Sequence, residues 1–217
     1  MEKDSHLKIV YLESVDSTQT YLKELITKKK VDSPYAVVAN KQINGLGSRN
    51  NVWEGVNGNL FLSFSISMDN LAKDLKIESA SIYFAYILKE VLSDLGSSVY
   101  LKWPNDFYIK DKKIGGMITN IVSNTLVCGV GLNLVDAPNG FSILDIKISR
   151  EELLETYLKK VQTCVSWKQV FSKYEIEFYR SRNFFTHDKE EKISLGEAKL
   201  LSDGSIAHNG KRIYSTR

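Results

Sequence analysis

The residues best suited to chemistry are Lys102–Asp106, which reads Lys-Trp-Pro-Asn-Asp, and Lys113, which is followed by Gly115-Gly116. Two lysines held near one point usually serve an anionic ligand such as a carboxylate or a phosphate. A glycine pair lets a ligand or another strand approach the backbone closely. The structural alternative is a solvated hairpin with ordinary surface lysines, and the spacing alone does not decide between the two.

The elements around these residues determine whether the two lysines meet. Val99–Leu101 is typical of a strand, and the strand is expected to end near Pro104, which cannot donate to a ladder. Phe107–Ile109 predicts a second extended segment, with a turn at Asp111-Lys112. Strand, turn and returning strand would then direct both lysines toward one site.

Three further patterns could contact a ligand, and each has a plain structural alternative. Ser17-Thr18-Gln19 opens a predicted helix, where hydroxyls either cap the helix or bind a small polar ligand. The glycine-bearing loop from Gln42 to Trp53 suits a lid over a charged, flat ligand, or it is an ordinary surface loop. Gly129–Asn133 allows close backbone approach and offers an amide, or it is a strand end lightened by glycine. Neither a P-loop nor a dinucleotide fingerprint explains these glycines.

Composition limits the classes of protein that the chain can represent. With 217 residues, 43% of them hydrophobic, it can form one large domain or one domain with an appendage. The net charge of +3 is too small to indicate nucleic-acid binding. Cys128, Cys164 and three scattered histidines form no disulfide framework or zinc motif. We see no apolar run typical of a signal peptide or membrane span, so we expect a cytoplasmic protein without membrane contact.

Periodicity predicts a mixed α+β fold in which helices pack on a β-sheet. The pattern of residue types changes after about residue 185. From there on, short runs of alternating residues are separated by Asp203-Gly204 and Asn209-Gly210, dipeptides that favour hairpin turns. We therefore expect a main domain over 1–185 and a small β appendage over 186–217. The expected strands are Lys8–Leu12, Tyr35–Ala39, Leu60–Ser67, Met117–Val122 and Thr125–Gly129, and the expected helices follow Ser17, span Ile77–Leu95, follow a capping box at Ser149–Glu152, and follow Ser166.

Taken together and in this order, the four patterns resemble those of the biotin protein ligases, which biotinylate carboxylase carrier domains. The family pattern runs Ser-Thr-Asn, Gln-x-x-Gly-Arg-Gly-Arg-x-x-Arg-x-Trp, Lys-Trp-Pro-Asn-Asp, Lys-x-x-Gly and Gly-x-Gly-x-Asn. The resemblance covers roughly residues 8–180, and its Lys-Trp-Pro-Asn-Asp block is highly specific. The matching residues are Ser17-Thr18-Gln19, Gln42 with Gly45, Gly47 and Trp53, Lys102–Asp106, Lys113 with Gly116, and Gly129, Gly131 and Asn133.

The resemblance implies a class II synthetase-like catalytic domain over 1–185 and a shortened SH3-like barrel over 186–217. It also implies a short form of the family, without the N-terminal winged helix that some members use to bind DNA, so DNA binding is not expected. Exposed sheet edges leave a homodimer open.

The implied activity is that of a biotin–[acetyl-CoA-carboxylase] ligase, which uses ATP and Mg²⁺ to activate its substrate biotin as biotinyl-5′-AMP. The biotinyl group then passes to a lysine of a biotin carboxyl carrier protein. The implied catalytic residues are Lys113, Lys102 and Asp106, the last binding Mg²⁺ or orienting a lysine. The implied biotin-binding residues are Ser17, Thr18, Gln19, Gln42, Gly45, Leu46, Gly47, Ser48 and Lys113, and the implied adenylate-binding residues are Arg49, Trp53, Lys102, Asn105 and Asn133.

One departure from the family pattern concerns the loop charges. Where the family has Gly-Arg-Gly-Arg, this chain has Gly45-Leu46-Gly47-Ser48, with Arg49 one place later. We expect a loop with fewer cations to close less firmly and to release the adenylate faster. Two other readings stay open: a lipoate or octanoate ligase-type acyltransferase, which shares a related fold, and a non-catalytic biotin-binding module.

Overall fold

The structure is a computed structural model that describes residues 7–47, 52–53, 56–188 and 191–214. The chain alternates between strands and helices, which confirms the mixed α+β class. The strands are β1 (Lys8–Val15), β2 (Tyr35–Gln42), β3 (Gly45–Leu46), β4 (Val52–Trp53), β5 (Leu60–Ser67), β6 (Tyr100–Lys102), β7 (Asp106–Ile109), β8 (Lys112–Val122), β9 (Thr125–Leu132), β10 (Phe185–Asp188), β11 (Glu191–Ser194), β12 (Lys199–Leu200), β13 (Ile206–His208) and β14 (Lys211–Ile213); the α-helices are α1 (Thr18–Thr27), α2 (Ala80–Asp94), α3 (Arg150–Gln162) and α4 (Trp167–Glu177).

The chain divides into two compact units. The first contains the described residues up to Leu71 together with Gly115–Leu144, and the second contains Ala72–Ile114 and the described residues from Asp145 onward. Strand β8 begins in the second unit and continues in the first. This division differs from the predicted boundary at 185/186, which stays a prediction.

The first unit is a sheet in the order β1-β2-β5-β9-β8, with β1 and β2 parallel and the other pairs antiparallel. Strand β5 matches its predicted bounds, whereas the others run a few residues longer than predicted. Helix α1 packs on the sheet through the fully buried Leu22, and Tyr21, Leu25 and Ile26 are partly buried beside it, as its periodicity predicts.

The predicted polar loop between β2 and β5 contains a short antiparallel pair, β3 with β4, in which Gly45 lies opposite Trp53. These strands were not predicted, because two-residue strands are too short to show the alternation of apolar and polar residues. Of the predicted loop residues, Ser48 and Arg49 lie outside the described part of the chain.

The second unit is built around α2. The expected amphipathic helix from Ile77 to Leu95 begins as a 3₁₀ turn at Ile77–Ser79, becomes α-helical at Ala80, and ends before Gly96, whose φ is +97°. The helix is buried from Ala80 through Leu88, so the prediction of a simple amphipathic helix is wrong for that part. Helices α3 and α4 help to bury it, and the Tyr157 hydroxyl of α3 donates to the Phe84 carbonyl at 3.0 Å.

The capping box predicted at the start of α3 is only half formed there, and a complete one is found at the start of α4. The Ser149 hydroxyl accepts from Glu152 N at 3.1 Å, as one half of the expected box. The reciprocal box forms instead at Ser166 and Gln169, where each side chain accepts from the other residue's backbone N–H.

Strands β6 and β7 form an antiparallel hairpin, and β7 is followed by the first residues of β8 in the same sheet. The turn between β7 and β8 lies at Lys110-Asp111, one residue earlier than predicted, and Lys110 takes the left-handed φ of +53° there. The hairpin itself brings Lys102 directly opposite Asp106.

The C-terminal strands form two small antiparallel sheets, β10-β11 and β12-β13-β14. Asn209 and Gly210 connect β13 to β14 with φ of +47° and +73°, the two-residue turn that the dipeptide predicts. Small C-terminal sheets are thus confirmed, and their closure into an SH3-like barrel stays a prediction. Within the described ranges, the model contains no helix with the length and apolar character needed to span a bilayer.

Candidate active site

In the second unit, two lysine side chains converge on one carboxylate. Lys102 is the last residue of β6, Asp106 the first of β7, and Lys113 lies at the start of β8. Lys113 Nζ donates to Asp106 Oδ1 at 2.6 Å, and Lys102 Nζ lies 3.5 Å from Asp106 Oδ2. The three residues that the sequence singled out for catalysis are therefore neighbours in the fold.

The electrostatics of this cluster suit an anion. The side chains of Lys102, Asp106 and Lys113 are only 10%, 13% and 24% exposed, so water screens their charges weakly. Two ammonium groups and one carboxylate leave a formal charge of +1. The same region raises the pKa of Tyr108 to about 12, chiefly because the phenol is buried and further because of the Asp106 charge.

The geometry bears on the Mg²⁺ role considered for Asp106. Its carboxylate already interacts with two ammonium groups, which compete with any cation for the same oxygens. The searched part of the chain, that is, the described residues, contains no cluster of three or more histidine, cysteine or acidic side chains. Within the described residues, these contacts are those expected if Asp106 orients the lysines, and the Mg²⁺ contact considered for Asp106 stays a prediction.

Side chains from outside the motif hold the backbone around Lys102. Because β6 is an edge strand, its outward N–H groups need partners from elsewhere. Leu101 N donates to Glu177 Oε1 at 2.9 Å, and Trp103 N donates to Ser181 Oγ at 3.0 Å. Both backbone groups that flank Lys102 are thus fixed by the end of α4 and the turn after it. Nothing in the sequence pattern pointed to Glu177 or Ser181.

Two indole groups donate hydrogen bonds to one turn of the C-terminal segment. Trp103 Nε1 donates to the Gly204 carbonyl, and Trp167 Nε1 donates to the Ser202 carbonyl, both at 2.8 Å. Gly204 has a φ of +78°, and a Cβ there would lie 2.9 Å from Ile82 and 3.1 Å from Trp167. The turn predicted from Asp203-Gly204 is thus present, and it packs against the tryptophan of the Lys102–Asp106 stretch.

In the first unit, a cluster of buried polar groups surrounds the start of α1. Gln42 Oε1 accepts from both Thr18 N (2.8 Å) and Thr18 Oγ1 (3.0 Å). The Thr18 hydroxyl also lies 2.9 Å from the hydroxyl of Ser63 on β5. Ser17 performs the capping role, since its side chain accepts from Thr20 N. The structure therefore brings Thr18 and Gln42 together and adds Ser63, one of three serines on β5 that the sequence pattern did not distinguish from one another.

Gln19 points into the sheet. Its Nε2 donates to the Val127 carbonyl at 3.0 Å and to Asn120 Oδ1 at 3.2 Å, while its Oε1 accepts from the Ser63 hydroxyl at 3.0 Å. The residue is 3% exposed. These contacts engage both ends of the amide, and the biotin contact expected of Gln19 stays a prediction.

The glycines of the motifs make room for neighbouring protein groups. A Cβ on Gly45 would lie 2.4 Å from the Trp53 carbonyl and 2.8 Å from Gln42 Nε2, and one on Gly131 would lie 2.7 Å from Trp53 Nε1. Trp53 also contacts Phe141 edge to face, with 6.2 Å between ring centroids. A Cβ on Gly115 would lie 2.5 Å from the Gly131 carbonyl, so it is the adjacent strand that approaches there.

Asn133 and Asn59 organise the segment after β9. Asn59 Oδ1 accepts from the backbone N–H groups of residues 134–136, and its Nδ2 donates to Asn133 Oδ1 at 3.3 Å. Asn133 Nδ2 donates to the Ser142 carbonyl at 3.2 Å. Both asparagines have no exposed surface. These contacts give Asn133 a structural task, and the adenine contacts expected of Asn133 and of the 1%-exposed Asn105 stay predictions.

Comparison with known proteins identifies the class. The chain belongs to the biotin/lipoate A/B protein ligase family, whose sequence pattern matches residues 11–134, more than half of its length. Among curated relatives, it is 32% identical to the bifunctional ligase/repressor BirA of Escherichia coli strain K12 over 58% of this chain and 40% of that protein. It is 30% identical to biotin–protein ligase 2 of Arabidopsis thaliana over 66% of this chain and 50% of that one. The chain thus spans about half or less of the length of these relatives.

A solved structure matches over nearly the whole chain. The biotin acetyl coenzyme A carboxylase synthetase of Helicobacter pylori, crystallised with bound biotinylated ATP, has a TM-score of 0.92 and 40% identity, with 96% of this chain and 100% of that one covered. The biotin protein ligase of Aquifex aeolicus, at 24% identity and a TM-score of 0.77, shows the same fold over 95% of each chain.

Proposed function

We propose that this protein is an ATP-dependent ligase that activates biotin as biotinyl-5′-AMP and transfers the biotinyl group to a lysine of a biotin carboxyl carrier protein. The observation that carries the proposal is the convergence of Lys102 and Lys113 on Asp106. Support also comes from the Helicobacter pylori synthetase with its bound biotinylated ATP, since that chain is 40% identical and similar throughout.

The first step needs positive charge. A carboxylate oxygen of biotin attacks the α-phosphorus of ATP, an O–P bond forms, and the bond from that phosphorus to pyrophosphate breaks with its electron pair leaving on pyrophosphate. Two anions must approach each other, so positive groups that are already in place lower the barrier. We assign Lys113 to the carboxylate and the new acyl-phosphate bond, and Lys102 to the phosphates. Magnesium is taken to enter as part of the substrate, bound to the ATP phosphates.

In the second step, the amine of the acceptor lysine attacks the acyl carbon. An amide bond forms, the bond between the acyl carbon and the phosphate oxygen breaks with its electron pair leaving on AMP, and the proton lost by the attacking amine passes to solvent water. The step requires no proton from the Lys102–Asp106–Lys113 cluster. The cluster contributes by holding the adenylate until the acceptor arrives.

The polar cluster of the first unit is assigned to the ureido ring of biotin. This flat group has one carbonyl acceptor and two N–H donors. Gln42 Oε1 is occupied by Thr18, so Gln42 offers its Nε2 hydrogens, and the Thr18 oxygen offers a lone pair. We assign Gly45, Leu46 and Gly47 to backbone contacts with biotin, and Trp53 to a contact with the adenylate.

The partners follow from the same proposal. We infer a carrier-domain acceptor and no nucleic-acid partner, because 29 basic and 26 acidic residues nearly balance. The chain has two cysteines, the buried Cys128 and the exposed Cys164, which are too few for a disulfide framework, and this supports a reducing cytoplasmic compartment. The outer edge of β1 leaves room for pairing with a second copy, which sedimentation would detect.

The deciding experiment is incubation of the protein with ATP, Mg²⁺, biotin and a biotin carboxyl carrier domain, read by mass spectrometry of the acceptor. We expect the mass gain of one biotinyl group, dependent on ATP and abolished by mutating the acceptor lysine to arginine. Parallel reactions with lipoate and octanoate separate this activity from the related acyltransferases. Modification by lipoate but not by biotin would overturn the proposal, and biotin binding without pyrophosphate release would indicate a binding module.

A further inference from the structure

A buried chain of polar contacts, most of them hydrogen bonds, connects the middle of the sheet to the residues assigned to biotin. It runs from the Val127 carbonyl to Gln19, from Gln19 to Ser63, from Ser63 to Thr18 and from Thr18 to Gln42. We propose that Gln19 is a positioning residue that sets the direction of these hydrogen bonds and keeps the Thr18 oxygen available as an acceptor. This inference rests on the proposed function.

The two ends of the chain are fixed. Gln42 must turn its oxygen toward Thr18, because the Thr18 backbone N–H donates to it at 2.8 Å. Gln19 must turn its nitrogen toward Val127, because that partner is a carbonyl at 3.0 Å. Its oxygen therefore faces Ser63. The amide orientations of both glutamines follow from backbone groups, which have only one chemical role each.

The number of hydrogens then decides what the hydroxyls do. Thr18 and Ser63 carry one hydroxyl hydrogen each, but they make three oxygen–oxygen contacts, two of them with amide oxygens that can only accept. Gln19 Oε1 attracts the Ser63 hydrogen, so Ser63 does not donate to Thr18. The Thr18 oxygen consequently keeps both lone pairs for an N–H group of a ligand. Without Gln19, the Ser63 hydrogen is free to turn to Thr18 and occupy one of them.

The sheet is built to accommodate Gln19. Gly129 lies opposite Ser63 on β9, and a Cβ at Gly129 would come within 2.4 Å of Gln19 Oε1 and 3.0 Å of its Cδ. Such distances are too short for real atoms, so a side chain at this position would displace the amide. Gly129 therefore permits the long glutamine side chain where the family pattern has the shorter asparagine.

The test measures biotin binding by calorimetry and pyrophosphate release at steady state, using the full chain. Gln19→Leu should weaken biotin binding by about tenfold, the scale of one lost hydrogen bond in an apolar setting, while kcat at saturating biotin stays near the wild-type value. Gly129→Ala should reproduce this loss, because it displaces Gln19 without removing it. Adding Ser63→Ala to Gln19→Leu should recover part of the affinity, since it removes the competing hydrogen.

Ser65→Ala is the matched control. Ser65 lies on β5 like Ser63 and is buried like it, but it forms hydrogen bonds with the Tyr35 backbone and does not belong to the chain of contacts described above. It should lower the melting temperature and leave biotin affinity unchanged. If the wild-type protein and Gln19→Leu bind biotin with equal affinity, the role of Gln19 is refuted while the proposed function stands. The same holds if Ser65→Ala weakens biotin binding as much as Gln19→Leu does. Failure of the wild-type protein to bind biotin would instead refute the proposed function.

Discussion

Replacing Asp106 by asparagine tests the electrostatic argument most directly. The substitution preserves the shape of the side chain and removes the negative charge that lies 2.6 Å from Lys113 Nζ and 3.5 Å from Lys102 Nζ. At an effective dielectric constant of about 20, these two attractions amount to roughly 6 and 5 kcal/mol before desolvation is counted. Desolvation offsets most of that, and breaking a buried ion pair costs about 3–5 kcal/mol in measured cases.

We expect a loss near the lower end, about 3 kcal/mol, because Lys113 retains 24% of its side-chain exposure. For a protein of this size, that corresponds to a melting temperature lower by about 6–12 °C. The assay is thermal unfolding with and without excess inorganic pyrophosphate. An anion supplies the missing countercharge, so pyrophosphate should stabilise Asp106→Asn more than the wild-type protein.

The control is Asp111→Asn, which removes an exposed carboxylate from the neighbouring turn and should change stability by less than about 0.5 kcal/mol. Unfolding of Asp106→Asn at the wild-type temperature would contradict the expected loss of stability. Equal stabilisation of the wild-type protein and the variant by pyrophosphate would show that Asp106 does not balance the charge of the two lysines.

Three other substitutions probe separate parts of the structure. Lys113→Ala should slow adenylate formation by about 10²–10³-fold at saturating biotin, as measured by pyrophosphate release, and a change confined to biotin affinity would contradict its role in the transition state. Ser181→Ala leaves the buried Trp103 N–H without its acceptor and should cost about 1–3 kcal/mol in chemical denaturation, whereas an unchanged midpoint would show that the strand edge needs no such support. Burial raises the pKa of Asp203, but hydrogen bonds from Ser205 and nearby cations outweigh it and hold that pKa below the usual 3.8. Because the pKa of Asp203 is lower in the folded protein, its ionised carboxylate stabilises the fold above pH 3.8, and this stabilisation is lost as the pH falls through the pKa of the folded state. Asp203→Asn should therefore lower the free energy of unfolding by about 2 kcal/mol at neutral pH and by progressively less in acid.

Local patterns predicted the elements well where one physical signal dominated. The buried run of β5, the Ser17 cap of α1 and the Asn209-Gly210 turn each follow from short-range chemistry, and all three appear in the structure. The sequence also predicted that Lys102 and Lys113 would project toward one site, and the β6–β7 hairpin sets Lys102 opposite Asp106 because a tight hairpin fixes which residues face each other.

The supporting residues were not predictable in the same way. Ser63, Asn59 and Ser181 act through partners that lie 44 or more residues away in the sequence, and isolated serines and asparagines carry no periodic signal. The same holds for Gln19, whose position in a helix start indicated a ligand contact while its reach across the sheet depends on strand order. Only the tertiary arrangement shows that Gly129 gives it room.

The indole hydrogen bond from Trp103 to Gly204 has a practical consequence for anyone shortening this protein. A fragment that ends near residue 185, where the sequence pattern changes, would remove the hydrogen-bond acceptor of the Trp103 indole, one residue from Lys102. Truncation at that point would therefore disturb the hairpin that carries Lys102, since the C-terminal segment supports this hairpin through the Trp103–Gly204 hydrogen bond.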